Sequence, residues 1–130
     1  MEAKKDLQLC PMTPEHIRIR EVLITYARKK SMVAYTDLLN EAKVKLDMSV
    51  PYERGILGRL LGEISWNEVQ EGRPMLSSVA KLKGKNIQSQ GFFDLAEDIY
   101  NIKLKNSDQR LRFGMEELNR TYDCWSESKI

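Results

Sequence analysis

The chain has 130 residues, the size of one domain, and can bury a single modest core without disulfides or metals. Its 21 Lys and Arg stand against 19 Asp and Glu, so a net charge of +2 supplies no global pull toward polyanions, and nucleic-acid contact must rest on local clustering. Two distant cysteines, Cys10 and Cys124, and the lone His16 argue against a structural zinc site and against a cysteine nucleophile with its own base. The opening MEAKKDLQLCPM lacks an apolar core of signal-peptide length, and no run approaches the roughly 20 apolar residues that span a bilayer. A soluble, cytoplasmic protein with reduced thiols is the expectation.

Residues 1–12 mix charge with isolated apolar residues and read as a loosely held lead-in. Thr13-Pro14-Glu15 then supplies an N-cap, a proline at the first helical position and an acid near the positive helix end. Ile19, Val22, Leu23, Tyr26 and Ala27 form one core-facing stripe, and Arg28-Lys29-Lys30 closes the helix. Ser31 to Tyr35 suits a short strand, followed by a helix from Asp37 to about Leu46 with Leu38, Leu39, Ala42 and Leu46 on one face. After the break 47–51, a third helix over about 52–69 buries Ile56, Leu57, Leu60, Leu61 and Ile64.

That third helix also carries Gly55, Gly58 and Gly62 on one face. Each costs about 1 kcal/mol relative to alanine, so either another element packs closely there or the face is left bare for a partner's backbone. Gly72-Arg73-Pro74 ends the helix. Met75 to Leu82 reads as a strand, Lys83-Gly84-Lys85-Asn86 as a turn, and Ile87 to Gln90 as a returning strand, together a β-hairpin. Gly91-Phe92-Phe93 enters a fourth helix with Leu95, Ala96, Ile99 and Tyr100 inward. From Ser107-Asp108 a C-terminal helix carries Leu111, Met115, Leu118, Tyr122 and Trp125 at coiled-coil spacing, either docking on this chain or forming a homodimer seam.

The fold class expected is mainly α with a small β-hairpin (α+β), a winged helix-turn-helix-like domain over 13–106 with an added C-terminal helix over 107–130. Ala34-Tyr35-Thr36-Asp37-Leu38-Leu39 resembles the Tyr-led strand-to-helix step of the DNA-binding domain of alkylguanine-DNA alkyltransferases and alkyltransferase-like proteins. Glu53 to Arg59 is similar to their recognition helix, and Gly72-Arg73-Pro74 and Gly91-Phe92-Phe93 are similar in placement to their active-site strand and Gly-rich return. The combination of Tyr35, Gly-Arg-Pro-Met-Leu-Ser and Gly-Phe-Phe also resembles small bacterial domains. Where the alkyltransferases have Pro-Cys-His-Arg this chain has Pro74-Met75-Leu76-Ser77, so the resemblance implies a fold and DNA contact without alkyl transfer.

Lys81, Lys83 and Lys85 are spaced by two and, on a strand reaching Lys83, would leave one face together toward phosphates. With Asn86 from the turn, Tyr52, Arg54 and Arg59 from the third helix, and Lys43 and Lys45 before it, they form the expected nucleic-acid contacts. Glu53, Glu63, Glu68 and Glu71 surround the same helix and count against tight binding. Asp37 and Glu41 share a helix face, whereas nuclease carboxylates normally sit on strands, and no phosphate-cradling glycine loop occurs. A non-catalytic module is expected, with duplex DNA as partner and no cofactor, metal or membrane. The alternative is a protein-interaction or dimerisation module using the C-terminal stripe or the glycine face.

Overall fold

Thr13 fixes where the first helix begins. Its extended backbone places Oγ1 to accept from the His16 N–H at 3.3 Å, while His16 Nδ1 accepts from the Thr13 N–H at 3.0 Å. This is a capping box with histidine in the place usually held by Glu or Gln. The structure, a computed structural model, describes residues 9–127, so most of the lead-in over 1–12 and the tail 128–130 lie outside the described residues. The end of the lead-in is fastened rather than loose. Cys10 donates its N–H to Asn67 Oδ1 at 2.8 Å, and Asn67 Nδ2 donates to the Cys10 carbonyl at 2.9 Å.

The elements in order are α1 (Pro14–Arg28), β1 (Val33–Ala34), α2 (Tyr35–Ala42), α3 (Pro51–Gln70), a 3-10 turn (Leu76–Val79), β2 (Ala80–Lys81), α4 (Gln90–Tyr100) and α5 (Ser107–Glu127). The described chain is mainly helical with a two-stranded sheet, an α+β arrangement. Ile19, Leu23 and Ala27 of α1 are fully buried against Leu38 and Leu39 of α2 and Leu57, Leu60, Leu61 and Ile64 of α3. None of these helices is long and apolar enough to cross a membrane.

Two expectations change. The second helix stops at Ala42 rather than near Leu46, because Lys43 turns left-handed (φ 58°) and Val44 N–H bonds back to the Leu39 carbonyl at 3.0 Å. Residues 44–47 then carry no regular secondary structure, with Lys43 and Lys45 exposed and Val44 and Leu46 half-buried.

The β-hairpin does not form. Leu76–Val79 winds into a 3-10 turn, only Ala80–Lys81 is strand, and that strand pairs in parallel with β1, Val33 opposite Ala80 and Ala34 opposite Lys81. Leu82 N–H still bonds the Ile87 carbonyl at 3.1 Å across a turn with Gly84 at φ 76°, but Gln90 already belongs to α4.

The physical reason is that side chains satisfy this buried segment where a strand partner would have done so. Glu117 of α5 accepts the Met75 N–H at 2.8 Å, Ser65 Oγ of α3 accepts the Ser77 N–H at 3.0 Å, and Gln88 Nε2 donates to the Ser78 carbonyl at 2.8 Å. Thr121 Oγ1 lies 3.2 Å from the Met75 carbonyl and 2.9 Å from Ser78 Oγ. Glu117 also accepts from Tyr100 and, at 2.5 Å, from Arg120. Burial and then this carboxylate push the Tyr100 phenol well above its usual range, so it remains a donor.

The C-terminal stripe divides. Trp125 is buried in the core, with the Arg20 and Arg73 guanidinium groups 5.4 and 5.7 Å from its ring, and Leu118 and Tyr122 pack beside it. Leu111 and Met115 face outward, 44% and 54% exposed.

Replacing Glu117 by alanine removes the acceptor for Met75 N–H and for Tyr100, and a loss of about 3 kcal/mol is expected, read from the urea midpoint. Gly114→Ala should also destabilise, because a Cβ there collides with Oε1 of the buried, hydrogen-bonded Gln88. A loss below about 1 kcal/mol for Glu117→Ala would show that the segment is held by packing alone.

Candidate nucleic-acid interface

α3 starts without a side-chain cap but with Pro51 at its first turn and Glu53 near the positive helix end. Its inner face carries Leu57, Leu60, Leu61 and Ile64, which leaves Tyr52, Gly55, Gly58 and Arg59 on an outward crest. Tyr52 is 79% exposed. The glycines separate into two kinds. A Cβ on Gly62 would lie 3.6 Å from Leu95 of α4, ordinary packing distance, whereas one on Gly55 or Gly58 would meet nothing within 4 Å. The bare part of the face is therefore the N-terminal half of α3, where no described residue packs against the two glycines.

The other expected contacts are distributed around this crest. Arg54 is exposed and donates to the Met48 carbonyl at 3.0 Å, and Arg59 pairs with Glu63 at 3.2 Å. Lys83, Lys85 and Asn86 are exposed in the turn after β2, while Lys81 is half-buried with Nζ 3.2 Å from Asn86 Oδ1. Because β2 ends at Lys81, no strand aligns the three lysines on one face. Lys81 is tied to the turn instead, and Lys83 and Lys85 are carried by the turn itself.

Two clefts flank the crest. One, about 220 Å³, lies between α3 and the start of α4, lined by Gly58, Leu61, Gly62, Phe92 and Leu95 with Tyr35, Ser77, Ser89 and Gly91. The Tyr35 hydroxyl accepts from the Ser89 N–H at 3.3 Å, and burial raises its pKa so that it stays neutral. The lysine turn runs directly into this wall through Gln88 and Ser89. The other cleft, about 540 Å³, lies between the start of α1, residues 43–46 and α3, and brings Lys43, Lys45 and Arg59 together with Arg18.

Arg18 carries no pattern in the sequence that marks it. It is brought in by the α1–α2 packing, with Nε donating to the Ala42 carbonyl at 2.8 Å. Beneath this cleft the His16 Nε2–H donates to Glu63 at 2.7 Å, since Nδ1 is the acceptor in the cap. The Thr13–His16–Glu63 chain has the appearance of a catalytic triad. The Thr13 hydroxyl both accepts from the His16 N–H at 3.3 Å and lies 2.8 Å from His16 Nδ1, and the imidazole is buried, so Thr13 and His16 cap α1 and Glu63 holds the ring.

The acids around α3 also change meaning. Glu68 is buried, accepting from Arg20 and Arg73 at 2.6 Å each, Glu63 holds His16 and Arg59, and Glu53 accepts the Asp47 N–H at 2.6 Å. Of the four, Glu71 is the exposed one with no partner among the described residues. Asp37 is exposed, and Glu41 accepts from Tyr26 at 2.5 Å. No family model, curated protein or solved structure matches this chain.

Gly55→Ala and Gly58→Ala should each stabilise the fold by about 0.5–1 kcal/mol, since both positions are helical and open. Thermal unfolding of the single variants checks this; a loss of stability at either site would mean that the helix is strained there.

Proposed function

We propose that the protein is a non-catalytic nucleic-acid-binding module that seats duplex DNA on the crest of α3, with the lysine turn 83–86 in the place of a wing. The observation that carries this reading is the exposure of Gly55 and Gly58. Two helix-weakening residues face solvent with no internal use, which suits a surface that a rigid polyanion approaches closely. Arg54 and Arg59 beside the glycines on α3, and Lys83 and Lys85 on the turn that leads to Ser89 in the cleft wall facing Gly58, are exposed and supply the phosphate contacts. Of the acids on α3, Glu68 is buried and paired with Arg20 and Arg73, which removes it from the outward face, whereas Glu63 stays beside Arg59 and tempers that contact. Helix, short strand, helix and exposed helix follow the element order of the winged-helix arrangement that the alkyltransferase resemblance implies, up to its two-stranded hairpin, which is replaced here by a 3-10 turn and the lysine turn.

A self-association seam on α5 is the second reading. It rests on Leu111 and Met115, the two stripe residues that remain outward.

Duplex binding measured by anisotropy across a salt series should show log affinity falling linearly with log salt. The Lys83→Gln/Lys85→Gln variant should flatten that slope by about 1.8, two phosphate contacts' worth. Gly58→Ala should bind about tenfold more weakly while being more stable, an opposition that mere unfolding cannot produce. Absence of binding at low salt, or a slope unchanged by the lysine substitutions, would reject the reading. Solution mass with and without duplex addresses the seam: a Leu111→Asp/Met115→Asp variant should lower the mass only if α5 self-associates.

A further inference from the structure

The larger cleft combines two features that phosphate contact alone does not call for. Its rim holds four cationic side chains, Arg18, Lys43, Lys45 and Arg59, against one lining carboxylate, Glu15. Glu63 lies deeper, already engaged by His16 and Arg59. Lys43 and Lys45 have no carboxylate partner among the described residues, so their two charges are uncompensated by ion pairs, while Arg59 is shared with Glu63. Beneath the rim lie Val44, Leu46, Ile56 and Leu60, an aliphatic floor.

The arrangement is built into the backbone. Along the run 43–46 exposure alternates, with Val44 and Leu46 half-buried and Lys43 and Lys45 exposed. Arg18 secures the start of that run by donating to the Ala42 carbonyl at 2.8 Å and the Lys43 carbonyl at 3.5 Å. At about 540 Å³ the cleft falls within the roughly 300–1,000 Å³ common for small-molecule sites. Inorganic phosphate would engage the rim and leave the floor to water. A ligand that uses both needs an anionic group joined to a flat, weakly polar body.

We infer that this cleft is a nucleotide site, with phosphate on Lys43, Lys45 and Arg59 and the base over Val44, Leu46 and Ile56. The nucleotide is either free in solution or a unit of a bound strand. The inference goes beyond duplex binding on the α3 crest and does not depend on it.

Calorimetric titration of the full chain at low ionic strength with adenosine diphosphate, pyrophosphate and adenosine tests it. Saturable one-to-one binding of the nucleotide is expected, with pyrophosphate about tenfold weaker and adenosine weaker still. Lys43→Gln/Lys45→Gln, both on the surface, should weaken nucleotide binding about tenfold, whereas Lys83→Gln/Lys85→Gln should leave it within about twofold. The inference is overturned by no saturable nucleotide binding, by pyrophosphate binding as well as the nucleotide, or by equal loss in both lysine pairs, which would mark diffuse charge. Repeating the titration on duplex-saturated protein separates the sources. Competition assigns the seat to a strand nucleotide, and unchanged affinity assigns it to a free one. Should the duplex not bind at all, the crest reading fails while the nucleotide result stands.

Discussion

The rest of the structure depends on how the buried segment from Met75 to Val79 is satisfied. Its residues are almost completely inaccessible, and the 3-10 turn over Leu76–Val79 meets the Ser78 N–H internally, through the Met75 carbonyl, but leaves the Met75 and Ser77 amides to side-chain acceptors. Glu117 and Thr121 come from α5, Ser65 from α3 and Gln88 from the loop before α4. Three elements distant in sequence are thereby held to one strip of backbone. An unmet buried donor costs about 1–3 kcal/mol, so these bonds act as conditions of folding more than as additions to stability.

That requirement positions α3. Its C-terminal half is fixed twice, through Ser65 to the Ser77 amide and hydroxyl, and through Glu68 to Arg20 and Arg73, whose guanidinium groups lie against Trp125. A buried carboxylate held by two arginines costs desolvation and need not stabilise in net terms, but it permits few alternative placements of the helix. The N-terminal half extends beyond this anchorage and carries the open glycines, between one cleft with a basic rim and another with largely apolar walls.

Much of this was legible in the sequence, and the misses share a cause. Helices α1, α3, α4 and α5 announce themselves by apolar spacing, and the Thr13-Pro14 start is read from local chemistry alone. The hairpin failed because Val79 and Ala80 look like strand residues, while the groups that divert the segment, Ser65, Gln88, Glu117 and Thr121, are separated from their partners in it by 10 to 46 residues. Parallel pairing of Val33 with Ala80 leaves no turn signature between its partners. At the candidate interface the positions of Tyr52, Arg54 and Arg59 followed from periodicity. The convergence of Arg18 with Lys43 and Lys45 required knowing that α2 stops early.

The glycines sharpen the relation between stability and use. A helix that carries Gly55 and Gly58 in the open is less stable than its alanine equivalent, and the deficit is offset by Pro51 at the start and by Leu57, Leu60 and Leu61 on the inner face. Sterics explain Gly114, where Gln88 occupies the space of a Cβ, and Gly62 at least faces Leu95, though at a distance that a Cβ would tolerate. Neither explanation reaches the other two. What remains is that the absence of side chains at 55 and 58 exposes helix backbone between Arg54, Arg59 and Tyr52, so that close approach is limited by main chain rather than by flexible side chains. A surface of that kind suits the regular, rigid ligand proposed above, with Arg54 and Arg59 exposed next to the glycines on the same helix.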